Sequence, residues 1–80
     1  MSGVSVVPAS LIRNALLAGA RALITIHQHP SGHLLPSDDD LRLWSKLSEQ
    51  AKMMDIVVLD DFILAESGYY SRMEGTATSW

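Results

Sequence analysis

Ala22-Leu23-Ile24-Thr25-Ile26, then His27-Gln28-His29, then Pro30-Ser31-Gly32-His33-Leu34-Leu35-Pro36, then Ser37-Asp38-Asp39-Asp40 is the stretch on which the reading of this chain turns. Its first five residues form a short apolar run, the pattern of a buried strand. Two prolines and a glycine make the next seven a loop. Ser37 with Asp40 three residues on resembles a capping box, with Asp in place of Glu or Gln. Asp38 and Asp39 add negative charge where a helix N-terminus favours it. The helix is expected to run to about Met54, with Leu41, Trp44, Leu47, Ala51 and Met54 as its inner face.

Upstream, residues 1–7 (MSGVSVV) suit a short extended lead-in, and Pro8 suits the first turn of a helix. Leu11/Ile12, Ala15/Leu16 and Gly19/Ala20 recur on one helical face, and Gly19 is a C-terminal stop. Downstream, Ile56–Leu59 and Phe62–Ala65 read as strand interrupted by Asp60-Asp61, for which a strand end or a bulge is the plain explanation. Ser67-Gly68 is a turn, Tyr69–Met73 a final strand, and Gly75–Trp80 a frayed tail. The order helix, strand, helix, strand, strand belongs to an α/β layer arrangement, and its two or three strands look incomplete upstream.

Eighty residues, 48% of them hydrophobic, allow one small globular domain with a thin core. Such a domain often depends on a metal or a partner chain. The chain has no cysteine, so any metal sits on imidazole nitrogen and carboxylate oxygen. No apolar run reaches the length of a membrane span and no signal peptide is recognisable, so a cytoplasmic location is expected by default. Residues 1–36 hold Arg13 and Arg21 and no acid, whereas residues 37–80 hold all nine acids and four bases. The net charge of −3, without a basic stripe, argues against a nucleic-acid surface.

His27 and His29 stand at i and i+2 on an extended segment, so both rings project to one side. The loop is long enough to double back and bring Asp40 to them. Three such ligands would leave one tetrahedral position on zinc for water, the mark of a catalytic site, and zinc lowers the pKa of that water toward about 7. The bland alternative for the pair is two partly buried histidines without a metal. Ser37 can cap the helix or point at the oxyanion of a tetrahedral intermediate, and the two roles compete for one side chain. His33 reads as an exposed loop histidine, Trp44, Met53 and Met54 as core, and Tyr69-Tyr70 as sheet packing.

The pattern His27-Gln-His29-Pro-Ser-Gly followed by Pro36-Ser37-Asp-Asp-Asp40 resembles the H-x-H-P-S-G…P-S-x-x-D core of the RadC-like branch of the JAB/MPN-plus (JAMM) metalloproteases. The likeness runs from about Val4 to Gly75. It implies a three-layer α/β/α, cytidine-deaminase-like fold, here shortened at the N-terminus, with one zinc ion and peptidase or isopeptidase chemistry. It implies His27, His29 and Asp40 as ligands and Ser37 as transition-state stabiliser. Two departures stand out. These enzymes carry a general-base glutamate upstream of the H-x-H, and here no Asp or Glu precedes Asp38. Asp61 stands where many relatives have histidine.

Three functions follow as expectations. The first is a zinc peptidase domain that acts on peptide or isopeptide bonds and lacks its base. The second is a non-catalytic relative in which zinc is a staple. The third is a DNA-repair association carried by the family's historical name, which the charge pattern does not favour. The open sheet edge of a shortened domain further suggests a homodimer.

Overall fold

The computed structural model describes residues 8–80, so the expected lead-in at 1–7 lies outside the described residues. The elements are α1 (Pro8–Leu17), β1 (Ala22–Gln28), α2 (Asp38–Met53), β2 (Val57–Ala65), β3 (Gly68–Ser71) and β4 (Thr76–Ser79). One sheet has the strand order β1-β2-β3-β4. The α2 crossover makes β1 and β2 parallel, and tight connections make the remaining pairs antiparallel. No helix among the described residues is long and apolar enough to cross a membrane.

Trp44, Leu47 and Ala51 on α2 are buried, and with Ile12 of α1, Ile56 and Ile63 they form the core. Leu11, Ala15, Leu23 and Val58 pack against it. Two residues expected on the inner face of α2 are turned out. Asp40 takes the inward position one turn before Trp44, which leaves Leu41 exposed, and Met54 is the C-cap, outside the helix.

The run Ala22–Ile26 is not buried on both faces. Leu23, Thr25 and His27 are half-buried, while Ala22, Ile24, Ile26 and Gln28 are exposed. Both helices pack on the Leu23 side, so among the described residues the molecule has two layers and an open second sheet face.

Asp60-Asp61 does not break the later strand. Leu23 pairs with Val58 and Ile24 with Asp60, so Leu59 is the extra residue of a bulge and β2 is continuous. The two aspartates then point to opposite faces. Asp61 is 1% exposed and is met by Arg72 Nη1 at 3.1 Å and by the Thr25 hydroxyl. Asp60 accepts the Ser71 hydroxyl at 2.5 Å and the backbone N–H groups of Asp61 at 2.7 Å and Met73 at 3.1 Å. This settles the local role of Asp61: its buried charge is neutralised by Arg72, which also donates to Ser48 Oγ at 3.0 Å.

The C-terminal residues are ordered rather than frayed. β4 pairs with β3 from Gly68↔Ser79 to Ser71↔Thr76. The indole N–H of Trp80 donates to Ala65 O at 3.0 Å, and its ring lies 5.3 Å from that of Tyr69. Backbone pairing and one aromatic anchor hold a segment whose side chains are all exposed, which is why periodicity did not reveal it.

Candidate metal centre

The strand period puts His27 on the helix-covered side near the end of β1. His29, one residue beyond the strand, keeps that direction because its N–H still donates to Leu64 O at 3.1 Å. The loop returns the chain to Ser37, the N-cap of α2. Ser37 Oγ accepts from Asp40 N at 3.1 Å, and Asp40 Oδ2 accepts from Ser37 N at 2.8 Å, so both halves of the expected capping box are present. The box fixes the Asp40 carboxylate at the helix N-terminus, aimed at the two imidazoles.

The three sequence-predicted ligands meet. His27 Nε2 lies 3.1 Å from Asp40 Oδ1, and His29 Nε2 lies 3.0 Å from Asp40 Oδ2. One donor atom from each of the three falls within 4.8 Å of the others. Tetrahedral ligands at zinc distances of about 2.0–2.1 Å sit roughly 3.3 Å apart, and both histidine–aspartate separations fall within a few tenths of an ångström of that. Trp44 closes the floor of the site. Its ring centroid is 6.5 Å from that of His27, and it stacks on Tyr70 at 6.2 Å.

Protonation tests the fit more sharply than distance. His29 Nδ1 is 2.7 Å from the backbone carbonyl of His33. A carbonyl only accepts, so Nδ1 carries the ring proton, and neutral His29 presents a lone pair at Nε2. That lone pair faces a carboxylate oxygen at 3.0 Å. Burial pushes the Asp40 carboxyl upward, but the Ser37 backbone N–H, the Ser37 hydroxyl and the two histidines outweigh it and hold its pKa below 3.8. The carboxylate is therefore ionised at neutral pH, and beside a neutral His29 ring two lone pairs would confront each other. Positive charge must lie between them, as a second ring proton or as a metal cation. The donor set, two imidazoles and a carboxylate with no thiolate, suits zinc.

Ser37 need not choose between its two roles. Capping uses a lone pair of its oxygen and leaves the O–H free to donate. His33 does take part, though not through its ring: its main-chain carbonyl orients His29. Residue types could not reveal this contact. The available signal was Gly32, a residue suited to reversing the chain just after a histidine. The other candidates lie outside the cluster. Asp39 pairs with Arg42, and Glu49 is exposed on α2, nine residues beyond Asp40 and therefore about 13 Å further along the axis.

Two openings reach the site. A groove of about 350 Å³ is lined by residues of β1 up to His27 and by Leu11 and Trp44. A concavity of about 540 Å³ on the other side is bordered by His29, Ser31, His33 and Ser37.

Comparison with known proteins agrees with this geometry. The family model described as a RadC-like JAB domain matches residues 1–77. A UPF0758 protein of Actinobacillus succinogenes is 38% identical over 74 residues, covering 92% of this chain and 34% of the relative. UPF0758 proteins of Haemophilus influenzae (strain Rd) and Desulforudis audaxviator are 41% and 40% identical, over 88% and 89% of this chain and 32% and 31% of their own lengths. The chain thus spans about a third of the length of these relatives. With 77 of its 80 residues matched and its two histidines and aspartate converging on one point, the chain belongs to the RadC-like JAB domain family.

Proposed function

We propose that this chain is the zinc-binding part of a JAMM-type hydrolase of peptide or isopeptide bonds, with His27, His29 and Asp40 as ligands, and that by itself it lacks the general base. The observation that carries the reading is the convergence of His27 Nε2 and His29 Nε2 on the two oxygens of the Asp40 carboxylate, at 3.1 and 3.0 Å, an arrangement of three ligand atoms that a divalent cation could share. A zinc ion bound there would supply a Lewis acid and make water available as a nucleophile near neutral pH.

The chain's own residues do the rest. Ser37 has a free O–H beside the ligands with which to donate to a developing oxyanion. The groove at His27 and the concavity at His29 flank the cluster and are where an extended amide substrate would lie. No described carboxylate other than Asp40 joins the cluster, and Asp40 is occupied by both histidines and by Ser37 N. A positioned base is typically worth 10²–10⁴-fold in rate, so the isolated chain is expected to bind metal and cleave almost nothing.

The thin core favours a second reading, in which zinc stabilises the fold and no hydrolysis occurs. Metal analysis of the purified chain is expected to find about one zinc per chain, lost in His29→Ala. Peptide cleavage is then measured for the chain alone and for the chain joined to the preceding portion of one of its longer relatives. Cleavage that appears only in the joined form supports the hydrolase reading. Absence of cleavage in both forms supports the staple, and absence of zinc sinks both. DNA binding that stays flat at low salt disposes of the family's inherited DNA-repair label.

A further inference from the structure

We propose that Gly32 is a positioning residue of the metal centre: its left-handed backbone reverses the chain so that the His33 carbonyl holds His29 Nδ1–H and aims the Nε2 lone pair at the point shared with His27 and Asp40. This rests on the metal-binding reading above and adds to it a residue that touches neither metal nor substrate.

An imidazole ligand has two nitrogens and must present the correct one without its proton. The group that holds the other nitrogen sets both ring orientation and tautomer. For His29 that group is a main-chain carbonyl four residues ahead. The chain must therefore turn back on itself at once. It does so in a turn closed by Gly32 N donating to His29 O at 3.0 Å, with Pro30 in the second position, where its fixed φ suits a turn. Gly32 follows at φ +84° and swings the next peptide around, bringing the His33 carbonyl to within 2.7 Å of Nδ1. The His33 N–H donates to the Ser31 hydroxyl at 3.4 Å, a contact on the Gly32–His33 peptide that precedes this carbonyl.

Crowding is not the reason for glycine here. A Cβ built on Gly32 meets nothing within 4 Å. What a side chain would disturb is the backbone angle. An alanine is strained at this φ, whereas asparagine tolerates it far better. The strained loop would relax toward negative φ, and the first thing to move is the His33 peptide. The histidine would keep its place in the chain and lose its orientation.

The test compares Gly32→Ala, Gly32→Asn and Gly75→Ala with the wild type. Gly75 also has positive φ, at +70°, with nothing within 4 Å of a built Cβ, and it lies in the turn between β3 and β4, so its variant carries the same kind of backbone strain away from the site. Zinc affinity is measured by competition with a chelator, and the ring tautomer of His29 in the zinc-free protein by ¹⁵N NMR of the imidazoles. Loss of an outer partner of a metal-binding histidine typically weakens affinity about 10–100-fold. That loss is expected in Gly32→Ala, with most of it restored in Gly32→Asn and none seen in Gly75→Ala. Recorded at alkaline pH, where the ring holds a single proton, the zinc-free spectrum is expected to show the Nδ1–H tautomer in wild type and Gly32→Asn, and a mixture in Gly32→Ala. Wild-type affinity in Gly32→Ala, or an equal loss in Gly75→Ala, overturns the proposal while leaving the metal reading standing. Wild-type protein that takes up no zinc sinks the metal reading. In that case the tautomer still decides the positioning claim, and an Nε2–H His29 in the zinc-free wild type rejects it.

Discussion

Asp60 and Asp61 are adjacent and carry the same side chain, yet the molecule accommodates them in different ways. Asp61 is buried on the side that α2 covers and is neutralised by Arg72, which also reaches Ser48 of that helix. Asp60 points to the other face and is held by three donors from the chain around it. Burial pushes the Asp60 carboxyl upward, but the hydrogen bonds from the Ser71 hydroxyl and the backbone N–H groups of Met73 and Asp61 outweigh it, so its pKa lies below the usual 3.8. A carboxyl depressed in the folded state contributes stability above its unfolded pKa and loses it as pH falls through the folded one. Part of the chain's acid sensitivity below about pH 4 therefore belongs to Asp60. Zinc-free Asp60→Asn is expected to melt below wild type at pH 7, with the gap narrowing as pH falls toward 2 in a thermal denaturation series. Asp40, also depressed, accounts for acid sensitivity that persists in the variant. A gap that stays constant with pH contradicts this assignment.

At the scale of elements, α2 and β4 show two ways in which local chemistry sets an end. The start of α2 is a reciprocal cap whose acidic member is also the carboxylate that meets His27 and His29, so one aspartate begins the helix and completes the cluster. β4 depends on close approach. A Cβ built on Gly68 would stand 2.1 Å from the Thr78 carbonyl oxygen, a backbone atom that cannot step aside without moving the strand. Gly68→Ala is therefore expected to displace β4 and to cost about 2 kcal/mol, in the range of overpacking substitutions. Denaturant melts would read the loss. Hydrogen exchange would localise it to residues 76–80 and leave β1 protected. Uniform loss of protection across the sheet would show that β4 is not the element affected.

At the scale of the molecule, among the described residues, the helices cover one side of the sheet and leave the other open. Ile24, Ile26, Val57 and Leu59 are each more than half exposed, and β1 lies at the sheet edge among the described residues. An uncharged, apolar edge is a template for pairing with another chain. The 80-residue chain on its own is expected to form a homodimer whose sedimentation shifts with concentration, and Ile26→Lys is expected to return it toward monomer. A wild-type chain that sediments as a monomer at all concentrations contradicts this. The order of the first five elements, the bounds of α2 and the grouping of His27, His29 and Asp40 were legible from residue types and spacing, because helix caps, strand alternation and the H-x-H step are short-range properties of the chain. Tertiary structure alone decided which face of β1 is covered, that Leu41 turns out where Asp40 turns in, that Asp61 finds Arg72, that residues 76–79 form a strand, and that a main-chain carbonyl orients His29. Each of these depends on atoms from separate elements meeting in space, or on a backbone group that every residue carries, and neither leaves a distinctive mark in the order of side chains.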